Sequence, residues 1–320
     1  MYIVLFLMLC LYPLLLPVLG VMDIVRKNGW SGLRLAAFAF WYIYLECAGI
    51  ILATCSWLFY LGGSRRPDRY LQANYAIQSW WLNHLGFNSF RIYNDPLVVE
   101  GGELPAGGST LLFLRHSSTM DTVLGGMFGT VRHKVRYRYV FKKELLWDPC
   151  LDIMGNRLQN YFVNRSSDNI QQEIENIGRL AHDLGENEGV LMYPEGTRFT
   201  EKKRLRILEK LKAAGDQQGL ARAESLKNLL PPRLGGTLEL LKQNTHADVV
   251  FCAHVGLEKA SSFTELINGE LFNRTVYVKF WRTPFSEIPT EREEQIDWLF
   301  EQWQKMDDYI GDILNKERAD

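Results

Sequence analysis

A histidine and an aspartate five positions apart, in the stretch Arg115-His116-Ser117-Ser118-Thr119-Met120-Asp121, are residues whose types and spacing could do chemistry. They follow the apolar run Thr-Leu-Leu-Phe-Leu at residues 110–114, which reads as a buried strand. Glycines 107 and 108 break the chain before it, and Gly125 and Gly126 come soon after. A regular helix advances ~100° per residue, so five residues leave two side chains about 140° apart. The pair meets only if the backbone turns between them. That puts His116 at the strand's end and Asp121 in the first turn of a following helix. Asp121 would then accept a hydrogen bond from one imidazole nitrogen and leave the other free to take a proton. A purely structural histidine fits the same residues, and the pair alone does not decide.

Other polar groups gather at similar places. Tyr193-Pro194-Glu195-Gly196-Thr197-Arg198-Phe199 follows the apolar run 190–192 and reads as a turn carrying a carboxylate and a guanidinium. Asn164-Arg165 follows a short strand candidate at 161–163, and Lys142-Lys143 follows another at 135–141. In an open α/β sheet the carboxyl ends of the strands are where ligands bind. Arg198 offers a bidentate fork for a phosphate. Three basic elements and the His–Asp pair all fall just past strand ends.

The elements that must position them alternate. Strand candidates lie at 90–93, 110–114, 135–141, 161–163, 190–193, 249–255 and 276–281, with helical patterns at 120–131, 168–184, 201–214, 237–244 and 290–314. This predicts an α/β domain with a mostly parallel sheet flanked by helices on both faces. No internal repeat, GxGxxG or Walker loop is present. Residues 132–143 alternate basic and apolar, which suggests a strand with a cationic face, and Lys202-Lys203-Arg204-Leu205-Arg206 opens a helix. Net charge is -1, so the chain is no polycation. A surface for anionic headgroups or a phosphorylated substrate fits these clusters better than nucleic acid. The five cysteines form no CxxC pair, which argues for reduced thiols and against a zinc site.

The first 63 residues are nearly all apolar. Residues 1–22 carry no charge and are long enough to cross a ~30 Å hydrocarbon layer. They lack the basic start and small-x-small site of a cleaved signal, and Pro13 and Pro17 predict a kink. A second apolar stretch, 35–63, is interrupted only by Glu46, which must be paired, protonated or near an interface. The expected organisation is a membrane-embedded helical hairpin over 1–66 and a catalytic domain over 67–320. Arginines and lysines on the two flanks balance, so orientation is not readable. Residues 67–90 predict an amphipathic helix against the membrane or the domain.

Taken together, His116-x4-Asp121 and Tyr193-Pro-Glu-Gly-Thr-Arg198 resemble the HX4D and FPEGTR motifs of the glycerolipid acyltransferases, the 1-acylglycerol-3-phosphate acyltransferases. Phe162-Val-Asn-Arg165 is similar to the family's FxxR motif, with Gln159 where a glycine is usual. Lys142-Lys143-Glu144-Leu145 is similar to its KKEL segment, and Leu230-Pro231-Pro232-Arg233-Leu-Gly-Gly236 to its proline-centred fourth motif. Order and spacing agree over about residues 85–300. The sequence after the third motif and Ile288-Pro289 before a Trp298-Leu299 helix resemble the longer eukaryotic-type branch, without its extra C-terminal apolar helices.

The resemblance implies a glycerol-3-phosphate acyltransferase-like fold and a membrane-bound O-acyltransferase. Its acyl donor is acyl-CoA or acyl carrier protein, its acceptor 1-acyl-glycerol-3-phosphate (lysophosphatidic acid) and its product phosphatidic acid. Lysophosphatidylglycerol, lysocardiolipin and lyso-ornithine lipid are alternative acceptors. His116 is the base and Asp121 its orienting partner. Lys143, Arg165, Glu195, Gly196, Thr197 and Arg198 are expected to hold the acceptor, Pro232 and its neighbours to shape the donor side, and amides after His116 to hold the oxyanion. No metal or redox cofactor and no nucleic acid are implied. An acyl-serine route through Ser117 or Ser118 is conceivable, but the family implies direct transfer. The absence of a retrieval signal and of C-terminal helices points to a bacterial inner membrane with the catalytic domain on the cytoplasmic face, the endoplasmic reticulum being the alternative. A hydrolase would want a GxSxG elbow or HExxH, and neither is present; a non-catalytic membrane adaptor would need neither the His116–Asp121 pair nor the Glu195-Gly-Thr-Arg198 motif, and both are intact. Arg115, where the family often has asparagine, is open to three readings: phosphate contact, brake on the histidine's protonation, or packed residue.

Overall fold

The computed structural model describes residues 1–27, 29–101, 107–258 and 272–319. Among them seven strands form one sheet: β1 Leu97–Glu100, β2 Thr110–Leu114, β3 Arg136–Lys142, β4 Tyr161–Val163, β5 Glu188–Met192, β6 Asp248–Val255 and β7 Val276–Thr283. Their spatial order is β1-β7-β6-β2-β5-β3-β4. All neighbours run parallel except β6 and β7. The mostly parallel α/β sheet predicted from the alternation is therefore present, with helices on both faces.

β2 is central and wholly buried, as its unbroken apolar run requires. Its alternate side chains serve two cores. Leu111 and Phe113 face the helices α5 (Ile170–Gly178), α8 (Leu234–Gln243) and α9 (Arg292–Ala319). Leu112 and Leu114 face α3 (Pro67–Tyr93). The helices α4 (Pro149–Gly155), α6 (Glu201–Ala213) and α7 (Gln217–Ser225) complete the set introduced here.

Several boundaries differ from expectation. Residues 90–93 are the last turn of α3, not a strand: Phe90 and Tyr93 share its buried face, and Asn94 closes it in the left-handed region at φ 59°. The helix expected over 120–131 is split into a 3-10 turn, Met120–Val123, and a π turn, Gly126–Arg132. The strand β1 and the helices α4 and α7 are additional. The cationic face expected on β3 is paired internally, since Arg136 and Arg138 both bind Glu188 at 3.0 Å.

The first two helices, α1 (Tyr2–Arg26) and α2 (Ser31–Phe59), form an antiparallel pair, each long and apolar enough to cross a membrane. Tyr2 donates to the Cys47 carbonyl and Tyr12 to that of Ala36. Asp23, buried at the turn, accepts from the amides of Gly32 and Leu33 and so caps α2. α1 is otherwise open to its surroundings, whereas α2 also packs on the sheet domain. Arg34 donates to the Tyr93 carbonyl, Trp41 to that of His84, and Arg157 reaches back to that of Ala53. Glu46 is fully buried there and accepts from the Cys150 amide.

Candidate active site

β2, β3, β4 and β5 are neighbours running in one direction, so their carboxyl ends share one edge. That edge brings together His116 after β2, Lys142 at the end of β3, Arg165 after β4 and the 193–199 turn after β5.

Directly after β2 the chain turns back on itself. His116 Nδ1 donates to Asp121 Oδ1 at 3.0 Å. Ser117 and Ser118 direct their amides at the other carboxylate oxygen, at 2.6 and 2.8 Å. The Ser118 hydroxyl accepts from the amides of Met120 and Asp121 and caps the 3-10 turn. Asp121 is fully buried. Burial alone would raise its carboxyl, but the hydrogen bond from His116, the neighbouring imidazoles and the Ser118 amide hold it below its ordinary value. An ionised Asp121 fixes the His116 tautomer with the proton on Nδ1, leaving the lone pair of Nε2 for a substrate proton. The Tyr193 ring packs on the imidazole, centroids 4.7 Å apart, and its hydroxyl donates to the Asp121 carbonyl.

This geometry removes two expectations. The amides of Ser117 and Ser118 are committed to Asp121, so they are not oxyanion donors. Both serine side chains are buried, and the Ser118 oxygen is occupied as a cap, which does not suit an acyl-serine route.

His254, on β6, has no counterpart in the sequence reasoning. It is fully buried, with Nε2 3.1 Å from the Arg115 carbonyl and 3.5 Å from Asp121 Oδ2. Burial holds it below the ordinary histidine value despite the nearby Asp121. Its Nε2 is hydrogen-bonded to the Arg115 carbonyl, which places the ring behind the carboxylate. Its only sequence signal is a polar residue inside a strand that is otherwise apolar. Arg115 is the packed residue of the three readings. Its side chain is buried, donating to the His254 carbonyl and pairing with Glu258.

Glu195 is a correction. Expected among the acceptor-binding residues, it is buried, accepting from the His116 amide at 2.7 Å and the Leu230 amide at 2.9 Å. Burial pushes its carboxyl up to about 8, against the pull of those two amides and Arg115. It clips three loops together. Phe199 adds a second clip, donating to the His116 carbonyl at 2.7 Å. The Thr197 hydroxyl is likewise turned to structure, accepting from Lys203.

A cavity of roughly 740 Å³ opens beside His116. Its mouth is cationic, lined by Lys142, Arg165, Arg198 and Arg233. Burial, then repulsion from Arg165, Arg198 and Lys203, holds Lys142 below the ordinary lysine value. Burial and Arg233 likewise lower Arg165. Arg165 donates to the Gly196 carbonyl and Arg198 to the Thr119 hydroxyl. Gly196 sits at φ 65°, and a Cβ there would meet Arg233 at 2.8 Å, so glycine is required by backbone and space alike. Lys143 and Pro232 do not line the cavity; their neighbours Lys142 and Arg233 do. Lys143 opens an exposed turn, and Pro232 is buried beneath the 193–199 loop. From the mouth, one apolar arm runs past Phe38, Trp81, Leu85 and Tyr139 toward α2 and α3. A second passes Val140, Ile174 and Ile177 on the opposite face of the sheet. Among the described residues no cluster suited to a metal ion is found.

Comparison with known proteins finds similarity to acyltransferases. The family model described as Acyltransferase matches residues 97–224. The chain is 26% identical over 231 residues to 1-acyl-sn-glycerol-3-phosphate acyltransferase epsilon of Mus musculus, covering 68% of this chain and 62% of that protein. It is 25% identical over 240 residues to the delta protein of Bos taurus, covering 72% and 58%. It is 22% identical over 234 residues to lysocardiolipin acyltransferase 1 of Gallus gallus, covering 68% and 57%. The matches thus span about 60% of the length of these curated relatives. In fold, the chain resembles the crystal structure of the 1-acyl-sn-glycerophosphate acyltransferase PlsC from Thermotoga maritima, with TM-score 0.57 and 16% identity over 90% of this chain and 96% of that one. The residues that the acyltransferase model matches, 97–224, carry the His116–Asp121 pair and three of the four mouth cations, Lys142, Arg165 and Arg198.

Proposed function

We propose that this chain transfers a fatty acyl group from a thioester donor, acyl-CoA or acyl carrier protein, to the free hydroxyl of lysophosphatidic acid, forming phosphatidic acid. The observation carrying this is the unshared Nε2 of His116, held by Asp121 beside a cavity that has both a cationic mouth and apolar arms. His116 takes the acceptor's hydroxyl proton as its oxygen attacks the thioester carbonyl. The C–S bond breaks, and the imidazolium returns the proton to the leaving thiolate. Lys142, Arg165, Arg198 and Arg233 hold the acceptor phosphate, and the arms take the hydrocarbon chains. The apolar face of α1 and the outer face of α2 keep the domain at the membrane, where the acceptor resides. In this reading residues 1–66 are the anchor, one helix of which also walls the cavity.

Similarity to a lysocardiolipin acyltransferase keeps other lyso-lipid acceptors in play. The deciding experiment offers the full chain, in detergent or vesicles, acyl-CoA or acyl carrier protein with a panel of lyso-lipids, products resolved by mass spectrometry. Phosphatidic acid is expected as the leading product, and His116→Ala should lower the rate by about 10²–10⁴. Release of free fatty acid without acceptor, or an unimpaired His116→Ala protein, defeats the proposal.

A further inference from the structure

The 3-10 turn Lys143–Trp147 joins β3 to α4 and leaves apolar surface uncovered. Trp147 is 90% exposed and Leu145 39%. Across the mouth Ile170, the first residue of α5, is 67% exposed, and Leu145 and Ile170 both line the cavity. An isolated exposed apolar side chain needs no explanation, but a nearly bare tryptophan at the rim of a binding cavity does. The turn lies against the N-terminal hairpin. Asp148, the next residue, is hydrogen-bonded to Tyr42 of α2, and the Cys150 amide donates to Glu46. The turn is therefore held close to α2, one of the two long apolar helices. Cations lie at the same rim, with Lys142 just before the turn and Arg165 after β4, and the exposed Lys143 opens the turn itself. Tryptophan beside lysine and arginine is the composition of a segment seated at headgroup level, and the charge favours anionic lipid.

We propose that the Lys143–Trp147 turn is a second membrane contact, inserted among anionic headgroups, which presses the cavity mouth against the leaflet. A lipid acceptor then enters past Leu145 and Ile170 without crossing water. This rests on the acyltransferase reading of the same cavity.

The test uses the full chain reconstituted in vesicles of phosphatidylcholine with phosphatidylglycerol. Trp147→Ala and Trp147→Glu proteins are assayed with a long-chain lysophosphatidic acid in the vesicle and with a short-chain, water-soluble one. Trp147→Glu should lose about fivefold or more on the vesicle-borne acceptor, Trp147→Ala less, and both should stay within about twofold of wild type on the soluble one. Equal losses on both acceptors, or none on either, overturn the proposal. Insertion is read separately, as the fluorescence difference between wild type and Trp147→Phe in vesicles carrying brominated acyl chains. Quenching of that difference supports insertion, and an unquenched difference overturns it. A wild type inactive on both acceptors defeats the acyltransferase reading, while the quenching still decides insertion. Self-association that Trp147→Ala abolishes would assign the turn to a second copy of the chain instead.

Discussion

At the end of β2, Asp121 accepts from His116 and from two backbone amides, with His254 behind it, and nearly all of this is buried. Along the same sheet edge, Lys142, Arg165, Arg198 and Arg233 line an open mouth, where burial, and after it repulsion among like charges, lowers Lys142 and Arg165. One region is satisfied before any substrate arrives; the other is relieved when an anion enters. The proton-transfer pair must hold its geometry through every turnover, so its partners are fixed by the fold. A phosphate site, as proposed for the mouth, must release product, so part of its electrostatic complement would be left for the ligand to supply.

The sharpest way to break this contrast is at Asp121. Asp121→Asn keeps the size but loses the charge that fixes the His116 tautomer, so kcat should fall by about 10³ with the acceptor KM little changed. A parallel rise in KM would mean the two regions are not separate. Next in size is Glu195→Ala, which leaves the buried amides of His116 and Leu230 without acceptors and should cost about 2–4 kcal/mol in thermal or chaotrope melts. If the variant melts like wild type and only the acceptor KM rises, Glu195 belongs to the binding region after all. Arg165→Ala and Arg198→Ala should each raise the KM for a phosphorylated acceptor about tenfold, leaving kcat and the donor KM near wild type. Steady-state kinetics with both substrates varied would expose any effect on the donor.

The smallest effect is a pH dependence. Lys142 is lowered, so in the empty site its charge is lost below the ordinary lysine value, and a bound phosphate restores it. As pH rises above about 7.5, where the phosphate is already doubly ionised, the acceptor KM should climb by a few-fold. Lys142→Arg should flatten the climb, because a guanidinium stays charged. An identical profile in the variant would assign the pH dependence to another group.

Much of this was legible in the residues. The apolar run before His116 marked the central strand, and the placement of polar groups after four such runs marked the ligand edge. What could not be read was orientation at single-residue resolution. Lys142 and Lys143 are chemically alike, and only the strand register sends the first to the cavity. Pro232 and Arg233 exchange roles for the same reason. Glu195 looked like a ligand residue because Arg198, three residues on, offers a fork for phosphate, yet the fold turns its carboxylate inward to two amides. His254 was hidden because its partner Asp121 lies far along the chain. The end of α3 was misread as a strand because Phe90 to Tyr93 is β-prone by composition, and tertiary packing overrode that preference.

The Glu195 clip has a consequence for how the molecule comes into being. Its carboxylate joins an amide 79 residues earlier to one 35 residues later. Such contacts form late, after the chain entropy of both intervening loops has been lost. A fragment ending between β5 and the Leu230 loop lacks one of the two amides that hold the Glu195 carboxylate against His116. Under the proposed function, full activity would then report completed assembly of the sheet edge.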